Sequence, residues 1–354
     1  MTNNAPRFPA TRRRWLASAL AGLSLFGAAA AQGQALTPIK FQLDWRFEGP
    51  SALFLLPIAK GYFKAAGMDV ALDAGNGSGG AVTRVASGSY ELGFADLAAL
   101  MEFHANNPDA PNKPVAVMMV YNNTPAAVLA LKKSGITSVA ALSGKKLGAP
   151  VFDAGRRGFP IFAKANKIEN VSWVSMDPPL RETMLARGDL DAITGFSFTS
   201  LLNLEARGVK PADVQIFPFA EHGVKLYGNA IIASPKLIKE KPELVKAFLL
   251  AFAKGAKEVM AKPDDAIAFV KQRDGIINEA LEKRRLRMAI DAVVASPDAY
   301  AEGFGQVSTP RLALMASQIS DAYGTKTRVV PEAVWNGSFL PSKAELATVL
   351  PPKK

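Results

Sequence analysis

The chain has 354 residues, no cysteine, two histidines and a formal net charge of +11. Lack of cysteine removes disulfides, thiol nucleophiles and thiolate metal sites together, and His104 and His222 form no pair at metal-ligand spacing, so no metal site is expected. Lys and Arg are scattered, apart from Lys283-Arg284-Arg285, which reads as the solvated face of a helix, so no nucleic-acid partner is expected either.

At the N-terminus, Arg7, Arg12, Arg13 and Arg14 precede an apolar run from Trp15 to Ala31 that ends in small residues. This is the pattern of a cleaved export signal over residues 1–31; an anchor needs about 20 apolar residues, and this run is shorter. Cleavage is expected after Ala31 or Ala35. The string Thr11-Arg12-Arg13-Arg14-Trp15-Leu16 resembles a twin-arginine signal, which a receptor reads, and the general secretory route stays open beside it. Removing residues 1–31 takes away four arginines and no acids, lowering the formal charge from +11 to +7. About 320 residues remain, enough for two compact units held by packing alone.

From residue 39 short apolar runs alternate with amphipathic ones, which predicts α/β layers on mostly parallel sheets. Strands are expected at 39–43, 68–72, 92–95 and 115–120. Between them fall helices at 51–66, interrupted by Pro57 and stopped at Gly67, at 81–86 after a glycine-rich loop, and at 97–106. A second unit begins near Tyr121, with strands at 128–132, 146–149, 171–175 and 191–194. Its helices are a short one at 138–142, one at about 159–165 capped by Asp153, and one after Asp177 with Pro178 and Pro179 in its first turn, ending at Gly188. Near 227–233 the chain returns to the first unit, and helices at 242–260, 280–295 and 310–323 follow. No internal repeat is visible.

A set of short strings then carries a family likeness over nearly the whole chain. They are Leu43-Asp44-Trp45, Lys60-Gly61-Tyr62-Phe63 with Gly67-Met68-Asp69-Val70, Gly88 with Leu92-Gly93, Leu142-Ser143-Gly144-Lys145-Lys146-Leu147-Gly148, Arg187-Gly188-Asp189-Leu190-Asp191-Ala192 and Lys241-Pro242-Glu243-Leu244-Val245. In this order the chain resembles the nitrate, sulfonate and taurine-binding components of ABC importers, a family that includes binders of the thiamine pyrimidine precursor. The resemblance implies a two-lobe periplasmic binding protein fold of type II. Residues 36–121 and 227–354 would form a discontinuous first lobe with a helical C-terminal region, and residues 122–226 an inserted second lobe. It implies a small-molecule ligand, an inner-membrane ABC permease as partner, a periplasmic monomer, and no catalytic step or cofactor. Pyrimidine-binding members follow the Asp-Trp with a histidine, whereas this chain has Arg46-Phe47-Glu48-Gly49-Pro50-Ser51. Relatives that synthesise the pyrimidine depend on a cysteine-rich motif, which this chain lacks.

Ligand contacts are expected at strand ends and the helix starts that follow them. Asp44 and Trp45 close the first strand, where a carboxylate accepts hydrogen bonds and an indole covers a ring. Gly77, Ser78 and Gly79 sit in the glycine loop, whose amides and helix start suit an anion. The same loop matches Gly-x-Gly-x-x-Gly with Asp96 downstream, which leaves an exported nicotinamide-dependent oxidoreductase as the rival from another class. Asp153, with Arg156 or Arg157, opens a helix facing the loop and suits a carboxylate or sulfonate. Asn122, Ser197, Tyr227 and Asn229 complete the expected contacts. The expected solute is a small organic anion, aromatic or not.

Overall fold

The computed structural model describes residues 1–2 and 35–352. Apart from its first two residues, the expected export signal lies outside the described residues. Downstream, ten described strands form two sheets. In the first, β1 (Thr37–Gln42) pairs in parallel with β2 (Met68–Asp73) and β3 (Leu92–Asp96). A late strand, β10 (Asn229–Ala233), runs antiparallel between β3 and β4 (Val115–Met119), giving the order β2-β1-β3-β10-β4. The second sheet contains β5 (Ala126–Leu131), β6 (Lys146–Gly148), β7 (Ser172–Val174), β8 (Ala192–Phe196) and β9 (Val214–Pro218), in the order β7-β6-β8-β5-β9. Here β5 is the reversed strand, antiparallel to β8 and β9. The two orders are the same pattern, and in each sheet the reversed strand is the one that arrives from the other sheet. No sequence repeat announces this. Each lobe is therefore a mixed sheet with four of its five strands running one way.

Ten helices matter for the site: α1 (Ala52–Ala59), α2 (Ser78–Ala86), α3 (Leu97–Asn106), α4 (Ala154–Asn166), α5 (Arg181–Arg187), α6 (Ser197–Glu205), α7 (Pro242–Ala261), α8 (Pro263–Arg273), α9 (Glu279–Ala289) and α10 (Thr309–Ala322). The single helix expected at 51–66 is split, because Gly61 takes a left-handed conformation (φ 72°) that ends α1 and redirects the chain. Asp153 caps α4 as expected, accepting from the Arg156 amide at 2.9 Å, but the helix starts at Ala154, five residues earlier than its apolar run. After Asp177 the two prolines form a short 3-10 turn and the aspartate side chain makes no cap bond. Strand β9 and helices α6 and α8 have no counterpart among the expected elements.

Phenylalanines dominate the first lobe's core. Phe41 lies 4.9 Å from Phe54 and stacks on Phe248 of α7 at 5.6 Å, while Gly255 of α7 leaves room for Pro57 of α1. The apolar face of α9 (Leu286, Ala289) joins this core. In the second lobe β5, between β8 and β9, is wholly buried; strands covered on both faces need such uninterrupted apolar runs.

Candidate functional site

The glycine loop after β2 folds back on the end of β1. The Gly75 amide donates to the Trp45 carbonyl at 2.9 Å and the Gly77 amide to the Asp44 carbonyl at 2.6 Å. A Cβ on Gly75 would sit 2.1 Å from the Leu43 carbonyl oxygen, so only glycine allows this approach. These two amides are therefore spent on backbone, contrary to the expectation that they point at an anion, and the Gly-x-Gly-x-x-Gly string here positions Asp44 rather than cradling a diphosphate. Gly77 has φ 151°, and the Phe152 ring from the opposite lobe packs where its Cβ would be, 2.7 Å away. Gly77→Ala is expected to hold the lobes apart. Small-angle scattering with solute should then give a larger radius of gyration than the parent, and an unchanged radius would show that Phe152 gives way.

Between the lobes lies a cavity of ≈ 70 Å³. From the first lobe Asp44, Trp45, Glu48, Phe54, Phe94 and Tyr121 line it, and from the second Phe152, Asp153, Arg181, Phe196, Phe198 and Thr199. Asp44 is 8% exposed and accepts from Asn229 Nδ2 at 2.7 Å. Burial pushes its carboxyl up to about 6, against the hydrogen bond from Asn229. Burial also raises Glu48, and the Arg285 guanidinium opposes that rise. Glu48 accepts from Trp45 Nε1 at 3.2 Å and, across the lobe boundary, from Thr199 Oγ1 at 3.1 Å. Two arginines also border the cavity. Arg181 is 2% exposed; it donates to Asp153 Oδ2 at 2.9 Å and through Nε and Nη2 to Glu182 Oε1. Arg46 is exposed, its guanidinium 5.9 Å from the Trp45 ring centre. The buried cation is thus already matched by two carboxylates, and the other is a solvated one at the rim.

Of the expected contacts, Asp44, Trp45, Gly77, Ser78 and Asp153 line this cavity. Gly79, Asp96 and Arg157 lie instead in an adjoining outer cleft of ≈ 430 Å³. There Asp96 caps α3 through the Ala98 amide at 2.8 Å, and burial raises its carboxyl to about 7. Arg157 pairs with Glu102 across the lobes and lies over the Tyr323 ring. Arg156 turns away, donating to the Ala149 carbonyl and Ser175 and stacking over Trp173. Ser197 starts α6 with its amide on the Pro125 carbonyl, and Asn229 stands behind Asp44 as its donor; neither is among the lining residues. Glu48, Phe152, Arg181 and Thr199 were not anticipated. For Arg181 the sequence carries no signal: an arginine beside a glutamate at a helix start reads as solvated, and nothing local names Asp153.

A family model described as NMT1/THI5 like matches residues 51–266. The chain belongs to the NMT1/THI5-like family. Among curated relatives, a 4-amino-5-hydroxymethyl-2-methylpyrimidine phosphate synthase of Aspergillus parasiticus is 28% identical over 247 residues, covering 67% of this chain and 70% of the relative. The riboflavin-binding protein RibY of Chloroflexus aurantiacus is 26% identical, over 61% of this chain and 60% of its own length. Among solved structures, the periplasmic aliphatic sulphonate binding protein SsuA of Escherichia coli superposes with a TM-score of 0.66 at 13% identity, covering 87% of this chain and 94% of that one. The alkanesulfonate-binding protein SsuA of Xanthomonas axonopodis pv. citri, bound to MOPS, gives 0.62 at 14% identity, covering 90% and 99%. At such identities the likeness establishes the fold, which is that of periplasmic binding proteins.

In this NMT1/THI5-like chain two segments, 120–125 and 223–228, cross between the sheets side by side. The Gly228 amide donates to the Tyr121 carbonyl at 2.9 Å, and the Thr124 amide to Leu226 at 3.0 Å. Arg311 of α10 ties both: its Nη2 donates to the Asn122 carbonyl, Asn123 Oδ1 and the Leu226 carbonyl, and its Nε to the Lys225 carbonyl. Asn122 and Tyr227, expected at the ligand, belong to this cluster. Asn122 Oδ1 accepts from Arg311, Tyr227 donates to Glu302 at 2.6 Å, and the guanidinium lies 4.0 Å from the Tyr227 ring centre. Side chains at a crossing serve its backbone before they reach the cleft. Among the described residues no His/Cys/Asp/Glu cluster is placed to hold a metal, and no helix is long and apolar enough to cross a membrane.

Proposed function

We propose that this chain is an exported, soluble solute-binding component of an ABC-type importer. It acts in the periplasm as a monomer, its two lobes closing on a small molecule that is handed to an inner-membrane permease. The observation that carries the reading is the cavity between the lobes, walled by aromatic rings and by the carboxylates of Asp44 and Glu48. Of the arginines that line it, Arg181 is matched by Asp153 and Glu182 and Arg46 is solvated at the rim, so no buried cation is free to meet an anion. Such a site favours a flat solute bearing hydrogen-bond donors or a positive charge, such as an aminopyrimidine, over the organic anion that the glycine loop and the Arg156–Arg157 pair suggested. The relatives named for a pyrimidine phosphate and for riboflavin support an aromatic solute; the fold shared with sulfonate binders supports capture between lobes.

The test is a thermal-shift screen of aminopyrimidines, flavins, sulfonates, aromatic carboxylates and nitrate. A solute at a hundred times its dissociation constant adds about 2.7 kcal/mol to the unfolding free energy. The reading expects an aminopyrimidine or another donor-bearing ring to give the largest effect, and a sulfonate or nitrate at the top of the list would return the site to anions. The relatives named as pyrimidine phosphate synthases favour a second reading, formation of a pyrimidine phosphate. Mass spectrometry of the small molecules released from the incubated chain separates the two: a synthase yields a pyrimidine phosphate that was not supplied, whereas a binding protein returns only the solute it was given.

A further inference from the structure

The basic string Lys283-Arg284-Arg285, which as sequence reads as a solvated face, lies on α9, and two of its three residues reach the second lobe. Arg285 is 1% exposed. All five of its N–H donors are engaged: Nε and Nη2 form a fork on Glu282 (2.9 and 3.1 Å), Nη1 donates to the Phe198 and Thr199 carbonyls (3.3 and 3.0 Å), and Nη2 also donates to Asn203 Oδ1 at 3.1 Å. Three of these five bonds cross from the first lobe to α6 of the second. Its Nε also lies 3.5 Å from Oε2 of Glu48, the oxygen that accepts from Thr199. Glu282 in turn accepts from the Gly49 amide at 2.6 Å, holding the loop that carries Glu48. Beside it on the surface, Arg284 pairs with Glu205 at the far end of α6.

We propose that Arg285 is the positioning residue of the cavity: it sets Glu48 from behind and grips α6, so that ordering Glu48 on a solute and closing the lobes are one event, with Arg284–Glu205 as its outer clasp. The fork geometry explains why arginine stands there. Two donors stay on Glu282 whatever the lobes do, and three remain for carbonyl and amide oxygens that come within reach only when α6 swings in. The inference rests on the proposed lobe closure, but closure can be read without any solute, so a failed solute screen leaves it untouched.

The experiment is small-angle scattering of the solute-free chain, with thermal melts alongside. Arg285→Lys keeps a cation beside Glu282 and cannot make the fork. It is expected to melt close to the parent yet scatter with a larger radius of gyration, the closed-to-open ratio falling by roughly tenfold or more. Arg284→Glu and Glu205→Arg are each expected to enlarge the radius, and the double swap to restore it. Should Arg285→Lys fail to fold, the surface swap decides alone. A parent already as open as its variants, a lower melting temperature at unchanged radius, or a double swap that stays open overturns the proposal.

Discussion

Replacing Arg181 by alanine is expected to cost the solute-free chain about 3–5 kcal/mol of stability, because removing one partner of a buried ion pair leaves the others as unpaired charges in a poorly solvating interior. Here the guanidinium holds two carboxylates at once, Asp153 at 2.9 Å and Glu182 at 2.8 Å, and both Arg181 and Glu182 are almost wholly buried. Asp153 has further donors in Thr194 Oγ1 at 3.0 Å and the Arg156 amide, so Glu182 is the residue left stranded. Adding Glu182→Gln to Arg181→Ala should therefore recover part of the loss. Urea denaturation of the parent and the two variants measures this. A single-variant loss under about 1 kcal/mol, the range of an exposed pair, would mean that water reaches the cluster.

The second large effect is on pH. Asp44 and Asp96 are held by burial near 6 and 7 against an ordinary 3.8, and burial holds Glu48 up in the same direction. A folded state that binds protons more tightly than the unfolded chain is stabilised where those groups are protonated. That stabilisation is lost as pH rises through the folded values. Solute-free stability should therefore fall between about pH 4 and pH 7, by on the order of 7 kcal/mol, because each proton that only the folded chain holds costs about 1.36 kcal/mol for every pH unit climbed. Asp44→Asn and Asp96→Asn should each flatten the profile. Binding should run the other way: a cationic or donor-bearing solute gains affinity as Asp44 ionises above pH 6, while an anion loses it. Denaturation at a series of pH values, with calorimetry on the best solute of the screen, reads both. Stability that stays flat across this window would show that Asp44 and Asp96 are ionised throughout.

Hydrogen bonding within a few residues is what a sequence can display, and the features legible here are of that kind. Strand and helix periodicity carried the alternation that builds the two sheets. The Asp153 cap could be named because the bond it makes, to the Arg156 amide, spans three residues. The strand-end pair Asp44 and Trp45 could be placed at a cleft because open α/β sheets present their strand ends there. What α4 does next could not be read: Arg156 turns to Trp173 and Arg157 to Glu102, choices set by what packs beside them. The same holds for the glycine loop, whose amides found the carbonyls of Asp44 and Trp45, one whole strand and helix earlier in the chain, before any ligand.

Which charges are buried, and with whom, came from the assembled lobes. Arg181 meets Asp153 across 28 positions, Glu48 meets Thr199 across 151, and Arg285 meets the Thr199 carbonyl across 86. An arginine in Lys283-Arg284-Arg285 has the same composition whether it is solvated or sealed between lobes, and its neighbours along the chain give no sign of the difference. The free energy of a charge is set by the solvent it loses and the partners it gains on folding. Neither is a local quantity. The layered two-lobe scaffold could thus be read from pattern along the chain, whereas the electrostatics of the cavity exists only once one lobe packs against the other.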